Sequence, residues 1–182
     1  MGGMNEVLEL LRGLRATRHF QSTPVPDAVL GKVIDVARWT GSARNRQPWR
    51  VAVIGASHER RQLARLGAYA GVLEHAPQVV LLATNQQLGG ADTDFDAGRF
   101  AQTFMLAAHA CGLGSCPVTF FPADNACAAA GFAGLGDPWM VRTVIAVGYP
   151  APPDRPAGSR SAIPTGRIPL ETLITRGLGD RG

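Results

Sequence analysis

The sequence predicts an α+β layer fold in one domain spanning residues 1–182, with a core of about 7–175. Three observations predict it. Segments with helical spacing of apolar residues alternate with four short β-rich segments. One long helical segment near the middle is apolar over so much of its circumference that it reads as buried in a domain or subunit core. No internal repeat or second domain interrupts the pattern, and 182 residues is a single-domain length.

The first helix is expected at Val7–Leu14, where Val7, Leu8, Leu10, Leu11 and Leu14 fall close to helical spacing. Arg15–Phe20 reads as extended. Pro26-Asp27 suits a helix start, and Leu30, Val33, Ile34 and Ala37 carry that helix to about Trp39. Gly, Ser, Asn and Pro make Thr40–Pro48 a loop that feeds a strand at Trp49–Ile54. An amphipathic helix follows at His58–Ala70. The nearly uniform apolar run Gln78–Ala83 predicts a strand covered on both faces. Thr84–Asp94 reads as a short polar loop before the central helix, Asp96–Cys111. Gly112-Leu113-Gly114 stops that helix. A strand at Ser115–Phe121, an Ala-rich helix at Ala123–Phe132 and a strand at Val141–Val147 complete the core. Residues 150–166 are rich in Pro and Ser and read as an extended arm, and Leu170–Thr175 as a brief final helix.

Composition narrows the function. Hydrophobic residues at 46% and charged residues at 18% can build a core, which argues against disorder. The net charge of +4 is almost all arginine, Lys32 being the one lysine. The arginines are scattered rather than striped, which favours a few anion contacts over nucleic acid. Cys111, Cys116 and Cys127 fit no zinc spacing. The start carries no signal-peptide pattern and no apolar run is long enough to cross a bilayer, so the expectation is a cytoplasmic protein without membrane or metal. P-loop, dinucleotide-fold and nucleophile-elbow signatures are absent.

Three segments combine anion donors with loop backbone. Arg15-Ala16-Thr17-Arg18-His19-Phe20 places two guanidiniums three residues apart, a spacing that reaches one phosphate or a carbonyl edge. In Thr40-Gly41-Ser42-Ala43-Arg44-Asn45-Arg46-Gln47-Pro48-Trp49, Ser42, Asn45 and Gln47 offer a hydroxyl and two amides, matching the mixed donors and acceptors of a flavin's pyrimidine edge. Asp96-Ala97-Gly98 opens the central helix, and Gly112-Leu113-Gly114-Ser115-Cys116 leads into a strand able to offer backbone N–H groups. Alone, each is also what an ordinary surface turn carries.

Taken in order, these segments resemble the nitroreductase family of FMN-dependent flavoproteins. Arg15–Phe20 is similar to its basic opening and Gly41–Trp49 to its P-S-x-x-N-x-Q-P-W loop. Asp96-Ala97-Gly98 with Ala101-Gln102, then Gly112–Cys116, resembles its D-A-G-x-A-x-Q and G-L-G-S-C stretches. Val147–Pro150 and Arg167–Leu170 resemble its closing signals. The likeness runs from Val7 to about Ile174.

The resemblance implies a central mixed or antiparallel sheet flanked by helices, and a homodimer with FMN at the subunit interface. It implies cofactor contacts from Arg15, Ala16, Thr17 and Arg18, with Arg18 at the ring's N1/O2 edge and Arg15 nearer the phosphate. Arg167 would also reach the phosphate. Ser42, Ala43, Asn45 and Gln47 would line the ring or belong to the partner's half of the site. Pro117, Val118 and Thr119 would pack on one ring face, with a backbone N–H near Thr119 aimed at N5. No side chain is nominated as catalytic. The implied activity is ping-pong electron transfer from NADH or NADPH to a nitroaromatic, quinone or similar acceptor. Flavin-fragmenting, heterocycle-oxidising or dehalogenating branches, or a non-catalytic flavin-binding protein, are the alternatives. Leu14 and Ala16 depart from the family's basic residue and serine. Phe120 stands where glycine is frequent, implying a narrower ring face, and the lid is reduced to Thr84–Asp94.

Overall fold

A computed structural model describes residues 2–152 and 166–175; the arm expected at 150–166 lies, apart from its ends, outside the described residues. Among the described residues four strands form one sheet: β1 (Trp49–Ile54), β2 (Gln78–Asn85), β3 (Gly114–Thr119) and β4 (Trp139–Gly148). The order is β1-β2-β4-β3 and every neighbouring pair is antiparallel. β2 lies in the middle, and Val79 to Thr84 are buried without a break, as its uniform apolar sequence predicts.

Each face of the sheet carries its own core. On one face, α2 (Asp27–Ala37) and the long α6 (Thr93–Ala110) cover Val80, Leu82, Ile145 and Val147 with Leu30, Val33, Phe100 and Phe104. On the other, α3 (Ser57–Ala64), α4 (Val72–His75) and α7 (Ala123–Gly131) cover Val79, Leu81, Val144 and Ala146 with Leu63, Leu73 and Ala130, joined by Phe120 from the end of β3. The helix α1 (Gly2–Gly13) packs chiefly on α6 and leaves Val7, Leu8 and Leu11 exposed. A last turn of helix, α8 (Leu170–Leu173), follows Arg167.

Several expectations are corrected. The helix expected at His58–Ala70 stops at Ala64 and resumes only as α4. Gly67 lies in the break, where a Cβ would fall 2.9 Å from that of Ala70 and 3.0 Å from the Phe120 ring. The chain turns tightly around a buried aromatic there, and an amphipathic pattern does not reveal that contact. Thr84–Asp94 is not a loop. β2 runs to Asn85, whose side chain accepts the Leu88 N–H at 3.1 Å and caps the short helix α5 (Gln86–Gly89). A turn of 3-10 helix at Gly90–Asp92 then leads into α6. α6 itself buries a stripe of Thr93, Asp96, Ala97, Phe100, Ala101, Phe104 and Ala108, while Phe95 on its other side is 69% exposed. Its broad apolar surface is therefore only partly covered within one chain.

Candidate functional site

The arginine segment is held to the free edge of β3. Ala16 forms a parallel bridge with Ser115, and the Thr17 N–H donates to the Ser115 carbonyl at 2.8 Å. The contact is close because Gly114 has no side chain: a Cβ there would fall 2.5 Å from the Thr17 hydroxyl. Farther on, Phe20 bridges Pro150, and the Gln21 N–H donates to the Tyr149 carbonyl at 2.9 Å. Arg18 projects as an exposed side chain between these ties, whereas Arg15, just before them, is exposed but folds its guanidinium back to donate to the Arg12 and Leu14 carbonyls; neither forms an ion pair with any described residue. Arg18 lies close enough to Cys116 for its charge to be felt. Burial pushes the Cys116 thiol up from its ordinary value, and the guanidinium opposes part of that rise.

β3 presents two different surfaces by alternation. Cys116, Val118 and Phe120 point into the core beneath α7, while Pro117 and Thr119 stand exposed on the α6 side. Phe120 therefore does not narrow the face that Pro117 and Thr119 offer, contrary to expectation. The Val118 side chain is likewise turned away from that face, so Val118 has only its backbone to contribute there. The backbone alternates as well. The Phe120 N–H donates to the Arg142 carbonyl of β4 at 2.9 Å, so the N–H groups of even-numbered residues point into the sheet. That of Thr119 consequently points out from the free edge. Pro117 has none to offer.

The amide loop is built differently. A 3-10 turn at Ala43–Asn45 precedes β1, and Arg44, Asn45 and Gln47 adopt left-handed φ values of 52°, 54° and 48°. Such conformations are disfavoured for residues with a Cβ, so neighbouring contacts must hold them. The Ser42 hydroxyl accepts the Gln47 N–H at 2.9 Å, and the Gln47 side-chain amide donates to Asn45 Oδ1 at 3.0 Å. Arg46 donates to the Gly89 carbonyl at 2.7 Å, and the Asn85 N–H donates to the Pro48 carbonyl at 3.0 Å. The Ala43 N–H donates to Oδ2 of the buried Asp96 at 2.8 Å. Asn45 and Gln47 remain exposed to solvent.

Beside α6 are two neighbouring depressions. A groove of about 830 Å³ runs between Val36 and Trp39 on one side and Phe95 and Gln102 on the other. A smaller cleft of about 160 Å³ is lined by Thr84, Thr119, Thr143 and Arg142. Both include Asp94 and Gly98. Arg142 pairs with Asp94 at 3.4 Å and lies over the Phe121 ring at 4.6 Å.

The structure thus gathers Arg15, Ala16, Thr17, Arg18, Pro117 and Thr119 along one sheet edge, and Ser42, Ala43, Asn45 and Gln47 at another corner. It does not bring the two groups together. Arg15–Arg18 and the amide loop sit beside opposite edge strands and at opposite strand ends, since Trp49 aligns through Thr84 with Met140 whereas Ser115 aligns with Val147; Thr119, paired with Thr143, lies nearer the amide-loop end. At ordinary strand spacing and rise that is a separation of roughly 25 Å. Arg167 is exposed and donates to its neighbour's carbonyl, Gly166, at 2.8 Å; no described contact joins it to Arg15 or Arg18. Asp96 and Arg46, which hold the amide loop, were not among the expected site residues. The Asp96-Ala97-Gly98 motif was a signal, but its partner lies 53 residues away in sequence.

The sequence model described as "Nitroreductase family" matches residues 11–70 and 65–149. A protein of Methanothermobacter thermautotrophicus, named as a candidate NADH dehydrogenase/NAD(P)H nitroreductase, is 26% identical over 169 residues, covering 91% of this chain and 87% of its own. The crystal structure of a similarly named protein from Parabacteroides distasonis superposes with a TM-score of 0.80 at 21% identity, covering 94% of this chain and 98% of the other. The crystal structure of a candidate nitroreductase from Desulfovibrio desulfuricans in complex with FMN superposes with a TM-score of 0.76 at 28% identity, covering 94% and 96%. With its antiparallel sheet, its arginine edge and its amide loop in the expected order, the chain belongs to the nitroreductase family.

Proposed function

We propose that two copies of this chain together hold FMN and pass electrons from NADH or NADPH to a small organic acceptor such as a nitroaromatic or a quinone. The family carries the oxidoreductase class, and the FMN-bound relative supports the cofactor. The single observation that carries the detailed reading is the division of the site. The arginine edge and the amide loop lie at opposite corners of one sheet, too far apart for one ring to touch both. A two-fold axis resolves this, because it brings each corner of one protomer to the complementary corner of its partner. The exposed apolar residues agree with a second copy. Trp39 is 76% and Phe95 69% exposed beside the α2–α6 groove, an apolar surface unusual for a monomer.

The donors present suit FMN. Arg15 and Arg18 carry charge that no described residue neutralises, which fits a phosphate and an electron-rich ring edge. Ala16 and Thr17 set their spacing, and Arg167 is assigned to the phosphate. When bound, FMN supplies two-electron redox chemistry that no side chain here provides. The chain's own part is electrostatic. Arg18 places a fixed positive charge that favours the reduced, more negative state. Thr119 donates its outward N–H, Pro117 packs its ring against the ligand, and Val118 contributes only backbone. Ser42, Ala43, Asn45 and Gln47, from the partner, present matched donors and acceptors.

The test is a visible absorption spectrum followed by anaerobic NADH and NADPH titration and sedimentation. Flavin bands in the blue and near-ultraviolet, bleached by the nicotinamide, in a dimer are the expected result. A monomer that binds FMN, or a protein that takes up none, overturns the reading. Turnover with nitrofurazone or menadione then separates a general reductase from a specialised branch.

A further inference from the structure

We propose that Asp96 is the positioning residue of the amide half-site: from α6 its buried carboxylate fixes the shape of the loop that Asn45 and Gln47 present to the partner's flavin. The inference rests on the dimeric FMN reading above and adds a residue to it. Asp96 is 2% exposed although it is a carboxylate, and groups of that kind stay buried only when their oxygens are satisfied. One oxygen accepts the Ala43 N–H at 2.8 Å, and the other faces Arg99 at 3.5 Å. Arg99 in turn lies against Gly41, where a Cβ would fall 3.2 Å from its guanidinium. The residue thus holds the loop directly at Ala43, with its ion-pair partner Arg99 beside Gly41.

The rest of the loop shows why this hold matters. Arg46 and Pro48 anchor its rear to Gly89 and Asn85. The Thr40 N–H still donates to the Ala37 carbonyl of α2 at 3.0 Å, but residues 41–45 make one hydrogen bond to another element among the described residues, and that bond goes to Asp96. The Ser42–Gln47 and Gln47–Asn45 bonds are internal to the loop and travel with it. Three left-handed positions within four residues, at 44, 45 and 47, do not keep their shape without an external tie. An N–H taken by a charged acceptor is the strongest such tie a neutral backbone can make. Asp96 does not touch the ligand; it acts through the loop.

The test uses the full chain carrying Asp96→Ala, Asp96→Asn or Ala43→Pro. Asparagine keeps an acceptor for the Ala43 N–H. Proline removes that N–H, and Ser42, at φ −133° and ψ 157°, already has the extended conformation that a following proline requires. Two readouts are taken: hydrogen exchange of peptides spanning 40–48 in FMN-free protein, and FMN affinity by flavin fluorescence. Asp96→Ala and Ala43→Pro are expected to lose protection in the loop and to bind FMN roughly tenfold more weakly, while Asp96→Asn stays within about threefold of the parent. Parental protection and affinity in Asp96→Ala or Ala43→Pro overturn the proposal, as does an Asp96→Asn as deficient as Asp96→Ala. Should Asp96→Ala fail to fold, the other two variants decide the matter.

A mixed dimer separates this proposal from the reading beneath it. Asp96→Ala and Arg18→Ala chains, co-expressed with different tags and purified through both, form one intact site if the halves come from different protomers. Recovery of half the parental high-affinity FMN sites is expected. No recovery, with both parent variants deficient and the loop still loosened by Asp96→Ala, overturns the shared site while leaving the hold on the loop in place.

Discussion

The arginine edge and the amide loop serve one proposed ligand, yet they are constructed by opposite means. Residues 15–18 are a plain extended segment fastened by a backbone bridge to Ser115; the Arg18 side chain is exposed to solvent, and that of Arg15, also exposed, rests on the Arg12 and Leu14 carbonyls. Residues 40–48 are a folded device with three left-handed residues and ties to α5, β2 and α6. The difference follows from the chemistry of the groups. A guanidinium is charged at any physiological pH and sits on a flexible stem, so it needs only to be brought near its anion. A short neutral amide has no such reach, and each of its bonds depends on the direction its backbone imposes. The charged half is therefore expected to tolerate local change in the chain and to suffer from loss of side chains. The amide half is expected to behave in the reverse way.

The sharpest way to break that contrast is to add one carbon under each half. Gly114→Ala puts a Cβ 2.5 Å from the Thr17 hydroxyl and 2.6 Å from its other side-chain atoms, all on a short branched side chain that cannot swing aside. Gly89→Ala puts one 2.1 Å from the Thr93 hydroxyl and 2.7 Å from the Pro48 ring. Each should destabilise the protein by about 1–3 kcal/mol as an overpacked site, measured by urea unfolding. Gly89→Ala should also weaken FMN binding more than Gly114→Ala, since the amide half needs its backbone shape and the arginine half does not. The opposite ranking would undo the contrast.

Next in size is Arg18→Ala, which removes a charge-assisted contact and should weaken FMN binding or its reduced state by about 1.5–3 kcal/mol. Arg18→Lys should recover part of the loss, being charged without the planar fork. Unchanged affinity and reduction potential in Arg18→Ala would refute the role given to it. Asn45→Gly is smaller still. It deletes the amide while suiting the positive φ of 54°, so about 1 kcal/mol of affinity should go without loss of fold. Asn45→Ala should cost more, because alanine resists that backbone conformation. Isothermal titration with FMN ranks the two.

The smallest effect concerns the cysteines near and far from the arginine edge. Burial raises the Cys116 thiol, with Arg18 opposing, whereas Cys127 is exposed. A thiol held above its unfolded value is protonated at neutral pH, so its stabilising contribution is complete below that value and falls as the pH climbs above it. Iodoacetamide at pH 8 should therefore label Cys127 first and Cys116 last, as followed by intact mass. Arg18→Ala, by removing the opposing charge, should slow Cys116 further. Early labelling of Cys116 would mean that the β3 edge opens.

The one-dimensional pattern of this chain determined the kinds of elements and their order. Apolar residues at helical spacing placed α2, a nearly uniform apolar run placed β2, a Val- and Ile-rich run placed β4, and the ordered motifs from Arg15 to Tyr149 identified the family, because these signals reside in neighbouring residues. Only the tertiary structure decided which way each motif faces and what holds it. Phe120 and Val118 turn inward because strand alternation is phased by pairing with β4, and the helix expected through Gly67 breaks because Phe120 arrives from elsewhere in the chain. Asp96 lies 53 residues from the amide it accepts. The corners occupied by Arg18 and Asn45 became known only once the strand order β1-β2-β4-β3 was known. Periodicity records which side of an element is apolar; it carries no information about the distant residues that the folded backbone sets against that side.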